Sequence, residues 1–118
     1  MNDVEAFKMP DDMLQFLSKT SRIELPYNSI IAYIDFLPIT EIREGIFNKK
    51  KRFIITSNVS EYPSIHLLWN PFKQCISYYD DEHMEYGDMC SFKEFLINPA
   101  TWLEGIFEKS YLIKKRTD

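Results

Sequence analysis

The chain is poor in glycine, with three in 118 residues, and it holds only two cysteines and two histidines. So few glycines leave no phosphate-cradling loop and no Gly-x-Ser-x-Gly elbow, which removes the usual apparatus of phosphoryl and acyl transfer. Cys75, Cys90, His66 and His83 stand apart, without the close spacing that a zinc site uses, and the two thiols form neither a CxxC pair nor a disulfide framework. No uninterrupted apolar run approaches membrane-spanning length, and Met1-Asn2-Asp3-Val4-Glu5 lacks the basic region and apolar stretch of a secretory signal. These absences predict a cytoplasmic protein that touches no membrane and has no catalytic residues, metal or cofactor.

What the chain does have is core material. Hydrophobic residues make up 45% of it and aromatics 15%, enough for one domain over residues 1–118 and too apolar for a disordered chain. The net charge of −4 argues against general nucleic-acid binding. The charge is also laid out in blocks. Lys49, Lys50, Lys51 and Arg52 form a basic tetrad, expected in an exposed loop after Gly45. Asp80, Asp81, Glu82, Glu85 and Asp88 put five acids into nine positions, expected as a loop between a strand and a helix.

The local patterns predict an α+β order. Pro10-Asp11-Asp12 suits a helix start, with Met13, Leu14, Phe16 and Leu17 on its apolar face. Ser29 to Leu37 alternates as a strand that Pro38 ends, and a short irregular or helical piece, Ile39 to Ile42, follows. Phe53–Ser57, Ile65–Trp69 and Gln74–Tyr79 read as three more strands, the last two joined through Asn70-Pro71-Phe72-Lys73 as a hairpin. Ser91 and Glu94 make a capping box for a helix whose Phe92, Phe95 and Leu96 share one face. Asn98-Pro99 begins another helix, with Leu103, Ile106 and Phe107 inward and Trp102 at the edge, and Lys114-Lys115-Arg116 suits a helix C-terminus. The expected fold is therefore one α+β domain, with an antiparallel sheet of four or more strands and helices packed on one face. The other face should be partly open, around His66 and Leu68.

The order of these motifs resembles the SUKH superfamily, small domains of fungal cell-wall-synthesis regulators and of bacterial immunity proteins. Met9-Pro10-Asp11-Asp12-Met13-Leu14-Gln15-Phe16-Leu17 is similar to the family's Leu-Pro-x-Asp-Tyr-x-x-Phe-Leu opening. Leu37-Pro38-Ile39-Thr40-Glu41-Ile42 resembles its Leu-x-x-Ile-x-Glu-Ile connection. Leu67-Leu68-Trp69 and Ile76-Ser77-Tyr78-Tyr79-Asp80 resemble its central hairpin, and Cys90-Ser91-Phe92-Lys93-Glu94-Phe95-Leu96 its closing Ala-x-Ser-Phe-x-x-Phe-Leu helix. Ser21-Arg22 stands where the family has Asn-Gly. The resemblance implies a domain that works by binding, with no catalytic residues and no particular toxin.

Two function classes follow. The first is an immunity protein that neutralises a cognate toxin by tight stoichiometric binding, with a regulatory or scaffold domain as its close alternative. Here the contact surface is expected at Tyr78, Tyr79, Asp80, Asp81, Glu82, Glu85, Tyr86 and Asp88. Tyrosine beside fixed charge is the composition of an interface, and an acidic, aromatic loop can occupy the basic groove of a nuclease toxin. The second class is a small enzyme using a cysteine or histidine. Asp80-Asp81-Glu82-His83 also offers oxygen donors for a divalent cation, but it lacks the spaced carboxylates and glycine of a calcium loop. The basic tetrad is read as solvated, with nucleic acid the less favoured partner.

Overall fold

The computed structural model describes residues 7–26, 29 and 31–106. Helix α1 (Asp11–Lys19) starts after Pro10, carries Asp11 and Asp12 in its first turn, and buries Met13 and Leu17. Strand β1 (Arg22–Glu24) pairs antiparallel with β2 (Tyr33–Phe36), and Pro38 leads into a single 3₁₀ turn at Ile39–Glu41. Then come β3 (Arg43–Phe47), β4 (Lys50–Ile54), β5 (Thr56–Val59), β6 (Ile65–Asn70), β7 (Cys75–Asp80) and β8 (Glu85–Cys90). Helix α2 (Phe92–Ile97) follows with its capping box formed at Ser91 and Glu94. A further helix, α3, covers residues 99–106, and the Asn98 side chain accepts a hydrogen bond from the Thr101 amide at 3.3 Å. Phe107 and Lys114 to Arg116 lie outside the described residues. No helix among the described residues is long and apolar enough to cross a membrane.

The α+β class and an antiparallel sheet of more than four strands are as expected, and a second, three-stranded sheet stands beside it. Among the described residues the strands order as β1-β2-β5 and β3-β4-β6-β7-β8, all antiparallel. The expected strand over Phe53–Ser57 is divided at Ile55, so β4 belongs to one sheet and β5 to the other. Ile55 holds both sheets together. Its amide donates to the Leu67 carbonyl (3.1 Å), and its own carbonyl accepts from the Leu37 amide (2.9 Å). The strand expected from Ser29 is confined to Tyr33–Phe36. Ile31 is nonetheless fully buried outside any strand, because an irregular segment can still point a large side chain inward.

One core gathers Met13 and Leu17 of α1, Phe92 and Phe95 of α2, Leu103 and Ile106 of α3, and Ile65, Leu67, Trp69, Ile76 and Tyr78 of the larger sheet. Phe16 links the layers, its ring edge-on to Phe36 at 5.3 Å and tilted against Phe92 at 5.4 Å. The Trp69 indole N–H donates to the Phe7 carbonyl at 2.8 Å, satisfying the one polar atom of that buried ring. Leu96 departs from the expected face. It is 37% exposed, because a helix of only two turns presents Phe92 and Phe95 to the core and turns their neighbour outward.

Both charge blocks fold into hairpins rather than loops. Lys50, Lys51 and Arg52 lie on β4, and the turn before it is Asn48-Lys49, both with positive φ (52° and 67°), as a two-residue type I′ turn requires. Gly45, expected to open a loop, is inside β3. The acidic stretch is the β7–β8 hairpin, not a connection to a helix. Asp80 pairs with Glu85 around the four-residue turn 81–84, and Met84 takes the left-handed conformation (φ 53°). The β6–β7 turn has the same form, with Asn70 paired to Cys75 and Gln74 left-handed (φ 54°). In each turn the leading Asn or Asp accepts a backbone amide two residues on, at 3.0 Å.

Candidate functional site

Strand alternation sorts the larger sheet into two faces. Register pairs Leu67 with Tyr78 and Trp69 with Ile76 on the core side. Leu68 with Ser77, His66 with Tyr79, and Tyr79 with Tyr86 lie on the other. That second face is not open at its centre, which corrects the expectation for Leu68. Leu68, Asn70 and Ser77 are all at 0% exposure. What covers them is the β3–β4 hairpin. It is laddered to β6 only through Phe53–Trp69 and Ile54–Leu68, and its outer half folds across the sheet. The Phe47 ring lies 5.4 Å from the Tyr79 ring, and the Lys50 ammonium lies 5.3 Å from the Tyr86 ring centre.

Beneath this arm runs a hydrogen-bonded network. The Arg52 guanidinium donates through Nε to the Tyr86 hydroxyl (2.6 Å) and through Nη1 to the Lys51 carbonyl (2.6 Å). The Tyr86 hydroxyl donates to Asp88 Oδ1 (2.7 Å) and lies 3.1 Å from Ser77 Oγ, which itself donates to the same carboxylate oxygen (2.6 Å). Asn70 Nδ2 (3.3 Å) and Lys73 Nζ (3.1 Å) complete the Asp88 shell. Partial burial pushes the Asp88 carboxyl up, yet the hydrogen bonds from Ser77, Tyr86, Lys73 and Asn70 outweigh it and hold this group well below the usual carboxylate range. Burial raises the Tyr86 phenol.

The network binds its carboxylate too well for base chemistry. Four donors on Asp88 make it a weak proton acceptor, and Ser77, its nearest hydroxyl, is inaccessible to a substrate. The thiols are no better activated. Burial raises Cys75, and burial together with Glu94 pushes Cys90 up to about 12, so both are neutral at neutral pH.

The eight residues expected to touch a partner divide between the two faces and the tip. Tyr78 faces the core, 5% exposed, with its hydroxyl donating to Glu85 Oε1 at 3.1 Å, and burial followed by that carboxylate pushes the phenol up to about 12. A side chain at Gly87 would collide with that ring, since a Cβ there would stand 2.5 Å from it. Asp80 is buried as well and caps its turn, accepting the Glu82 amide and pairing with His83 Nδ1 at 2.6 Å. Burial raises Asp80, but bonds from His83, Glu82 and Ser64 prevail and lower it. Tyr79 and Tyr86 stand together as a cross-strand pair on the opposite face, with Asp88 beside Ser77. Asp81 and Glu82 are exposed at the tip, where Asp81 Oδ2 lies 2.8 Å from His66 Nε2.

Tyr79, Tyr86 and the exposed tip acids thus form one surface, supported from behind by Tyr78, Asp80 and Glu85. The metal reading meets a partial set. Ligand atoms of Asp80, Glu82 and His83 lie within 4.8 Å of one another, but Asp80 and His83 spend theirs on each other. Sequence reasoning missed Phe47, Lys50, Arg52, Asn70, Lys73 and Ser77. Arg52 and Tyr86 are 34 positions apart, and no local pattern connects them. Lys50 and Arg52 stand out in the sequence only as part of the basic tetrad, and Asn70 and Lys73 only as the turn around Pro71, with nothing local to place them at this site. Set against protein-family models, curated proteins and solved structures, the chain matches none of them.

Proposed function

We propose that this protein is a non-catalytic, cytoplasmic immunity protein that neutralises a cognate toxin by stoichiometric binding through the β7–β8 hairpin. One observation carries the reading. Tyr79 and Tyr86 form a paired aromatic surface on a hairpin whose tip exposes Asp81 and Glu82, and the Asp88 network anchors that hairpin from within. Tyrosines held in one conformation contribute contact area at little entropic cost, and the tip acids favour a basic partner such as the substrate groove of a nuclease. The resemblance of the motif order to the SUKH superfamily supports the same reading, as do the two neutral thiols, which offer no activated nucleophile.

The test uses the protein encoded by the adjacent gene. Stable one-to-one capture is expected, with inhibition of whatever toxicity that protein shows. Reversing Asp81 and Glu82 to lysine should slow association and flatten its salt dependence while leaving the fold intact, because exposed charges act mainly on encounter. Tyr79→Ala should speed dissociation, by ~2 kcal/mol if Tyr79 anchors the contact. A neighbouring product that is harmless and yet captured would turn the assignment to a regulatory or scaffold domain. Unchanged rates in both variants would remove the hairpin from the interface.

A further inference from the structure

The Tyr86 ring already has two cations of the chain itself near it, Lys50 and Arg52. We infer that the Tyr86 ring face, with Tyr79 beside it, is a binding subsite for one arginine side chain of a basic protein partner, and that Lys50 of the chain itself fills it beforehand. The inference rests on the proposed binding surface for its partner and on geometry for the subsite.

Two cations approach the Tyr86 ring, and they differ in how they are held. The Arg52 guanidinium carbon lies 5.4 Å from the ring centre, but Arg52 is 8% exposed and fixed by its bonds to Tyr86 and the Lys51 carbonyl. It is part of the wall. The Lys50 ammonium lies 5.3 Å from the same centre, on an exposed residue that forms no ion pair among the described residues. Its contact with the ring is therefore the weaker, exchangeable one.

The ring face is electron-rich and attracts any cation, and a guanidinium stacks on it better than an ammonium because it is planar and less strongly hydrated. The surroundings favour the exchange. Tyr79 is cross-strand to His66, which contacts the Asp81 carboxylate, so negative charge lies one residue beyond the aromatic pair. Glu82 adds exposed charge at the same tip. An arginine entering over Tyr86 would displace Lys50 into solvent and leave Arg52 and the Asp88 network in place. Lys50 is then an internal competitor that weakens every cation directed at this ring.

Octa-arginine and octa-lysine peptides titrated into the full chain at about 0.15 M salt, followed by the tyrosine ring NMR signals, test this directly. Octa-arginine should bind more tightly and shift the Tyr86 ring signals. Lys50→Gln should tighten octa-arginine by about 2- to 5-fold, the worth of one exposed cation–aromatic contact. Lys51→Gln is the control. It removes the same charge from the next residue, which is exposed and alternates to the other side of the strand. It should tighten binding less than Lys50→Gln does, and Tyr79→Leu should weaken it. Equal tightening by the two glutamine variants, or Tyr86 signals that stay put, would reduce the effect to net charge and overturn the inference. Neither peptide involves the toxin, so failure to capture the neighbouring product leaves this result standing, and the reverse holds too.

Discussion

The two sides of β6 are equally dry and differently built. Leu67 and Trp69 on one side and Leu68 and Asn70 on the other are all at 0% exposure. The first pair belongs to an apolar core filled by the three helices and the smaller sheet, whereas the second is sealed by a hairpin arm whose Arg52 ends in a five-partner polar network. The contrast shows that burial does not say what holds a residue in place. Apolar packing loses stability in proportion to what is removed, while a polar network that reaches from buried Arg52, Asn70 and Ser77 to exposed Asp88 loses most when a member goes and its buried partners are left unpaired.

The apolar side should fail hardest. Phe95 is fully buried in the three-helix layer, and Phe95→Ala is expected to cost about 3–5 kcal/mol, read from the denaturant midpoint. A loss under about 1 kcal/mol would mean that the layer collapses around the vacancy and is less closely packed than the sheet.

The polar side comes next. Asp88→Ala strips an acceptor from Ser77, Tyr86 and Asn70 together, for an expected cost of about 2–3 kcal/mol. Asp88→Asn sharpens the point through pH. The folded carboxyl sits below its ordinary value, so its contribution is complete above the unfolded pKa of ~3.9 and is lost as pH falls through the lower folded value. Between about pH 7 and about pH 3 the unaltered protein should therefore lose more stability than Asp88→Asn does. Equal losses would show that other carboxylates carry the acid sensitivity.

The smallest effect belongs to a region outside both faces. Ser91→Ala removes one cap from the exposed start of α2 and should cost about 1 kcal/mol, without altering the tyrosine signals of the polar face. A change in those signals would couple the two faces more closely than their separate partners suggest.

Local chemistry made the core side readable in advance. Ser91 and Glu94 cap as their spacing requires, Pro71 sits in its turn, Asn98 caps α3, and Met13, Leu17, Phe92, Phe95 and Leu103 are inward. The polar side was hidden because its contacts are long-range. The charge map separated Lys50 and Arg52 from Tyr86 as opposite blocks, and only strand register and the fold-over of β3–β4 bring them together. The acidic stretch hides its strand for a different reason. Glu85-Tyr86-Gly87-Asp88 carries none of the β-branched residues that mark a strand, and its pairing with β7 overrides that weak propensity. Ile55 gave no warning either, since an unbroken apolar run conceals a change of sheet.

That change of sheet has a consequence for how the molecule comes apart. Ile55 is fully buried, and its amide and carbonyl are each committed to a different part of the fold, Leu67 on one side and Leu37 on the other. Neither sheet can be released without breaking a bond that the other relies on, so the pair should melt as one cooperative unit. Hydrogen exchange would register this as an Ile55 amide that opens only with global unfolding, whereas the exposed Lys49 turn exchanges by local fluctuation.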